Sequence, residues 1–350
     1  TVVIVESGLT VEWEGDLIIA GRGDIDLDGT LNLGGDLINT SLTNINRTGT
    51  GSLVLNGTSQ QAIGGNKIIR FFDLTQDNNS DTRLNQDIEV DGSITMTKGL
   101  IDLNGKTIDL GSAGRITSET NTSRITGNSG KITLVRTLNN INEANLAGIG
   151  LALETRANMG STRIERTHQE RTIGSGRSTK RSIQIEPTNN SNLNARVRLY
   201  YFSGELNGHI ANGLKLFRKP NGSPWTVNNA STAGNGFVEG SGYNSLGLFT
   251  MSSNGTTALE DLRPALSIRY FPNPLTQGQQ LQIEGLEAGN YQLELYDLTG
   301  KQVWQQQAHI STINSTEAID LPNLTGGLYS FRILSDKFAP TTGKLHIHSH

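Results

Sequence analysis

Cysteine is absent from this chain of 350 residues. Disulfide staples, thiolate zinc sites and cysteine nucleophiles are therefore excluded. No apolar run approaches the ~18 residues that a membrane-crossing helix needs. Charge is thin as well: 18% of residues are charged, and the formal net charge is -4. The phosphate-cradling G-x-x-x-x-G-K, the G-x-G-x-x-G turn, the G-x-S-x-G elbow and H-E-x-x-H are all missing. Proline is scarce at 8 residues, whereas glycine reaches 41. Such a chain reads as short strands joined by tight turns. Stability has to come from buried apolar area and sheet hydrogen bonds. Thr1 is neither a starting Met nor part of a visible signal peptide, so a processed protein, or the export tail of a much larger one, is expected.

Charge and pattern divide the chain into three expected segments: 1–139, 140–262 and 263–350. Acidic residues outnumber basic ones up to residue 140, and the balance reverses from 141 to 262. No segment is basic enough to suggest a nucleic-acid partner. A single phrase recurs through the first segment: apolar, any, apolar, then Gly within two residues. Examples are Ile25-Asp26-Leu27-Asp28-Gly29, Leu53-Val54-Leu55-Asn56-Gly57 and Ile101-Asp102-Leu103-Asn104-Gly105. Alternation puts both apolar side chains on one face, and strands this short need stacked neighbours to make a core. A parallel β-helix-like solenoid is expected, with an antiparallel sandwich of hairpins as the alternative. The gap between phrases reaches 35 residues, from Leu53 to Ile88, so irregular coils rather than a fixed period are expected.

The second segment carries longer alternating runs at 182–187, 195–201, 214–218 and 247–251, separated by turns such as Lys219-Pro220-Asn221-Gly222. They predict an antiparallel β-sandwich with Trp225 in its core. A charged linker is expected over 255–269.

The third segment contains Tyr270-Phe271-Pro272-Asn273-Pro274, Tyr291-Gln292-Leu293-Glu294-Leu295-Tyr296-Asp297, Gly326-Gly327-Leu328-Tyr329-Ser330-Phe331 and Gly343-Lys344-Leu345-His346-Ile347. Read physically, this is a small immunoglobulin-like β-sandwich. The motif set resembles the type A C-terminal sorting domain of the bacterial type IX secretion system. The resemblance implies export through the periplasm and outer membrane to the cell surface or medium, with the domain as export and anchoring signal. It implies the translocon and outer-membrane shuttle proteins as partners, and anionic lipopolysaccharide after processing. Carried onto this sequence, the signal residues are Phe271, Pro272, Asn273, Pro274, Asp297, Gly300, Gly327, Tyr329, Lys344 and Leu345. The family ends in Lys or Arg, whereas this chain ends His348-Ser349-His350. Over about 60–115 the chain is also similar to surface-protein repeats of bacteria that use this route.

Candidate chemistry is sparse. Asp24, Asp26 and Asp28 share a strand face and could hold calcium, although same-face neighbours stand roughly 6.6 Å apart, wide for one ion. A solvated face is the simpler reading, and no cofactor is expected otherwise. Arg22-Gly23-Asp24 spells an integrin-type tripeptide, too short to carry weight. Arg163, Arg166, Arg171, Arg177, Lys180 and Arg181 gather around His168. They could contact acidic glycans, but interleaved Glu165 and Glu170 point to cross-strand ion pairs. His346, His348 and His350 alternate, as metal ligands or as a frayed end.

Three readings follow. The favoured one is a surface adhesin or appendage component without catalysis, forming homo-oligomers or filaments. The second is a polysaccharide lyase or hydrolase on a β-helix scaffold. The third is the export tail of a larger protein.

Overall fold

The computed structural model describes residues 2–46, 48–174, 176–220, 222–253, 268–299, 301–311, 315–335, 338 and 341–348. Most of the expected linker lies outside these, as do Gly300, Ser349 and His350. The protein is all-β. It falls into two compact units, Thr1–Thr257 and Ala258–His350.

The first unit begins as a β-solenoid. Among the described residues, two six-stranded parallel sheets run side by side along it. The strands Thr30–Leu33, Leu37–Ser41 and the bridge residue Ile45 make up one coil. Ser52–Leu55, Gln61–Gly65 and Ile69–Phe71 make the next. The pairing register stacks Val11, Leu31, Leu53, Leu74, Ile94 and Ile116 in one column. The steps along that column are 20, 22, 21, 20 and 22 residues. The repeat is therefore nearly constant, contrary to the irregular spacing expected from the phrase. The phrase misleads because it occurs on different faces of one coil: Leu31 stacks on Leu53, whereas Ile25 pairs with Val3.

Interior columns are mostly Leu, Ile and Val with no solvent exposure. Burying each such side chain contributes roughly 1.5–3 kcal/mol. Among the described residues, the buried amides Asn46 and Gln61 find partners, whereas the Gln86 amide and the Ser123 hydroxyl are buried without one. Asn46, next to the bridge residue Ile45, accepts from Leu27 N–H (3.2 Å) and donates to the Arg70 carbonyl (3.0 Å), touching the coil on either side. The Gln61 amide donates to Leu33 O and Gly35 O and accepts from Gly57 N–H and Asn78 Nδ2. Outside, turn aspartates stitch each coil to the next. Asp16 accepts from Asp36 N–H (2.8 Å), Asp36 from Ala62 N–H (2.7 Å), Asp81 from Leu100 N–H (2.8 Å) and Asp87 from Thr107 N–H (2.8 Å). Coils lie so close that a Cβ at Gly51 would collide with the Gly29 carbonyl of the preceding coil.

The last coil does not stop. Its third strand, Lys131–Glu143, pairs in parallel with Thr107–Asp109 and antiparallel with the 17-residue strand Leu151–Thr167. That strand pairs in turn with Ser182–Pro187 and Ala195–Tyr200. A single 12-stranded sheet thus continues from a solenoid face into the antiparallel region. The boundary expected at 139/140 falls inside the strand Lys131–Glu143, and one hydrophobic core runs from Val5 to Met251. Strands sit where the alternating runs predict them, at Ser182–Pro187, Ala195–Tyr200, Lys215–Lys219 and Leu248–Ser252. Trp225 is only half-buried and lies outside this core; Phe249 fills it instead. The strand Thr226–Asn228 that follows Trp225 is an edge strand, paired along one side only.

In the second unit, a three-stranded sheet holds Arg269–Phe271, Leu281–Leu286 and Ser315–Ile319. A five-stranded sheet has the order Leu275–Thr276, Thr341–His348, Gly327–Ser335, Gly289–Tyr296, Gln302–Ile310. Ile283 and Ile319 from the first share one core with Leu293, Leu295, Phe331 and Leu345 from the second.

Candidate functional site

Chemistry-bearing side chains converge where the solenoid meets the antiparallel sheet. Alternation along Leu151–Thr167 points Ile164 and Arg166 inward together. Arg166 lies opposite Ile132 on one side and Ile183 on the other, and is fully buried. It reaches Glu119 of the last coil as a two-pronged pair, Nη1 to Oε2 at 2.7 Å and Nη2 to Oε1 at 2.8 Å. Glu119 Oε1 also accepts from Ile125 N–H at 2.9 Å. Burial works to raise the Glu119 carboxyl, but Arg166, Arg181 and that N–H outweigh it and hold the group below its ordinary range.

A second buried set lies alongside. Arg181, only 1% exposed, donates Nε and Nη2 to Glu205 Oε1 at 3.2 and 2.9 Å. Glu205 Oε2 accepts from Phe202 N–H at 2.9 Å. His168 Nδ1 is 3.2 Å from Glu205 Oε1. A carboxylate can only accept, so Nδ1 carries the proton. Burial pulls the His168 imidazole down to about 4, against the upward pull of Glu205. Its Nε2 is buried without a partner, which costs less as a bare lone pair on a neutral ring than as an N–H. Burial raises the Glu205 carboxyl, and Arg181 with the His168 hydrogen bond outweighs that and holds it far below the usual range.

Above these pairs opens a pocket of about 350 Å³, lined by Glu119, Asn145, Arg181, Tyr201, Phe202 and Asn235 among others. Gly150, at φ 76°, leaves the space that Arg181 Nη1 occupies. The Arg181 guanidinium lies 5.1 Å from the Phe202 ring centre, and that of Arg124 5.9 Å from it. Both carboxylates here are committed to arginines, so neither is free as an acid or base.

Ion pairs form at the exposed members of the basic cluster, but not across strands as expected: Arg163 holds Glu165 of its own strand and Arg177 holds Glu170, while the pair that does cross strands joins Glu165 to Lys131, outside the cluster. Arg171 donates to Ser182 and Thr167 hydroxyls. Arg166 and Arg181 instead pair with Glu119 and Glu205, partners the sequence reading missed. The available signal was Arg166 at a core-facing position in Ile164-x-Arg166. Asp24 and Asp28 serve the coil stitches: Asp24 accepts from Asn46 N–H (3.0 Å) and Asp28 from Thr50 N–H (3.1 Å). Asp26 lies half-buried between them. Among the described residues, no group of three or more His, Cys, Asp or Glu is placed to hold a metal ion. The His346 and His348 rings lie 5.0 Å apart.

In the second unit the motif residues meet around the strand Thr341–His348. Asn273 accepts from His346 N–H (2.9 Å) and donates to the Lys344 carbonyl (2.8 Å). The Tyr270 hydroxyl donates to the same carbonyl (3.2 Å) and accepts from Lys344 N–H (3.0 Å). These bonds extend the short pairing of Leu275–Thr276 along that strand. Phe271 stays 42% exposed beside the two prolines, Pro272 and Pro274. Leu345 is fully buried and pairs with Tyr329, whose hydroxyl donates to Thr325 O at 2.7 Å. Gly327 opens its strand opposite Ile347. Asp297 closes a turn, accepting from Thr299 N–H, Thr299 Oγ1 and Lys301 N–H; the Thr299 hydroxyl and these N–H groups hold its carboxyl below the usual range.

Residues 269–348 match the family model described as a secretion system C-terminal sorting domain. No curated protein matches the chain. A type IX sorting tail engages the type IX secretion machinery, and the protein is exported to the cell surface or secreted. No helix among the described residues is long and apolar enough to cross a membrane.

Proposed function

We propose that this is a cell-surface adhesin or structural appendage component without catalysis of its own, delivered by its sorting tail. The observation that carries the reading is the neutralised junction: Glu119 and Glu205 are each held by a buried arginine. An acid–base catalyst needs a carboxyl that gains and loses a proton near working pH, and buried arginines hold both of these below the ordinary carboxylate range. The stacked coils form a stiff rod suited to reaching a surface. Two sheets around a single core support a small immunoglobulin-like β-sandwich for the tail, and the antiparallel strands of 140–262 support a sandwich-like cap. Homo-oligomers and attachment to anionic lipopolysaccharide belong to the same reading. The test is delivery and adhesion together. Removing 269–348 should abolish surface display, and the purified chain should bind cells or glycans or self-assemble; a displayed protein that does none of these overturns the reading.

Product release from acidic or neutral polysaccharides would displace this reading in favour of a polysaccharide lyase or hydrolase on the same scaffold.

A further inference from the structure

We propose that the pocket between the last coil and the antiparallel sheet binds a carboxylate-bearing sugar unit, a hexuronate. The inference rests on the surface-binding reading above and assigns it a ligand. Its volume of about 350 Å³ falls at the lower end of small-molecule sites, the scale of one sugar ring with its first linkage.

The unsatisfied groups name the chemistry. Among the described residues, Arg181 Nη1 makes no hydrogen bond although Nε and Nη2 are used, and the side chain is 99% buried and faces the pocket. Asn145 Oδ1 accepts from Gly150 N–H, which leaves its Nδ2 as a donor. The Asn235 amide and the Tyr201 hydroxyl lie at the same pocket without side-chain partners among the described residues. The one lining carboxylate, Glu119, is saturated by Arg166 and Ile125. The pocket therefore offers several free donors and no free carboxylate, which suits an oxygen-rich anionic ligand and disfavours a cation.

Charge points the same way. Arg124, Arg166 and Arg181 stand against Glu119 and Glu205, and Arg124 has no carboxylate partner among the described residues. Its Nε is buried and unpaired. With His168 neutral, one positive charge is left over, on Arg124, which lies beside the lining Phe202 ring rather than in the lining itself. A carboxylate on Arg181 Nη1 balances it through a charge-assisted bond, and the Tyr201 and Phe202 rings offer apolar surface to the C–H face of a sugar.

The test uses the whole chain with glucuronate, glucose and acetate at neutral pH, followed by calorimetry. Glucuronate should bind at least about tenfold tighter than glucose or acetate, since a charge-assisted bond contributes ~1.5–3 kcal/mol. Asn235 is exposed, so Asn235→Trp should block the mouth and remove binding while leaving the melting temperature in place. Tyr201→Phe should weaken glucuronate by about fivefold, the loss of one neutral hydrogen bond. Equal binding of glucose and glucuronate, or binding of none of the three, overturns the proposal. Full affinity in Asn235→Trp overturns the pocket as the site and leaves the surface role standing, because display and adhesion are measured separately.

Discussion

The coils and the junction bury polar groups in opposite ways. Inside the coils, Asn46, Gln61 and Gln76 are neutral amides or their hydroxyl-bound equivalents, each tied to backbone within one or two coils. At the junction, Arg166, Arg181, Glu119 and Glu205 are ions tied to one another across 24 to 47 residues of sequence. An amide can be repeated at every coil because each copy satisfies itself locally. An ion pair cannot be repeated so cheaply, since each charge leaves water at a cost of several kcal/mol unless its one partner is in place. The solenoid uses the first device along its length and the second once, where the stack must end in a particular partner.

The largest expected effect breaks the second device. Arg166→Met leaves Glu119 buried and uncompensated and should cost about 3–5 kcal/mol, the range for a broken buried pair, by urea unfolding. Adding Glu119→Leu should recover most of it; no recovery would mean that Arg166 acts through packing. A coil core change should follow. Leu55→Ala, between Leu33 and Gln76 in its column, should cost about 2–5 kcal/mol. If it exceeds Arg166→Met, the junction is not the costlier place to disturb.

Acid should separate the two regions. His168 is neutral in the fold and protonates in the unfolded chain near 6.5, so the unfolded state takes up more protons between pH 6.5 and about 4. Stability should fall across that window by roughly 3 kcal/mol. Glu119 and Glu205, depressed in the fold, add a further loss as pH drops below their ordinary range. His168→Asn should flatten the upper part of the curve, and Leu55→Ala should leave its shape unchanged. Within the coils, Asn46→Ala removes bonds to two neighbours and should cost about 1–3 kcal/mol. The smallest effect belongs to the tail: Asn273→Ala removes two exposed bonds to the strand Thr341–His348, roughly 1–2 kcal/mol, read as faster amide exchange at His346.

Much of this was legible in the residues. Alternation in Ile25-Asp26-Leu27 placed the apolar pair inward, and the core has them there. The period was hidden because Leu31 and Leu33 spell the same phrase as Ile25 and Leu27 while lying on another face. Asn46 and Gln61 carried no mark in the sequence, since an amide's burial depends on which carbonyls surround it. Glu119 carried no local mark: its partner is 47 residues away on a strand from another sheet. The tail motifs were legible as a family, yet the bonds from Asn273 to Lys344 and His346 join residues 71 and 73 apart.

The aspartate stitches give the rod a modular ruler. Each joins one coil only to the next, at a separation of 19 to 26 residues. A block of about 21 residues cut between two such turns could be duplicated or lost with every stitch re-formed to its new neighbour. Each block changes the reach by one strand spacing, ~4.8 Å. Length can therefore vary without touching either the junction that closes the stack or the tail that exports it.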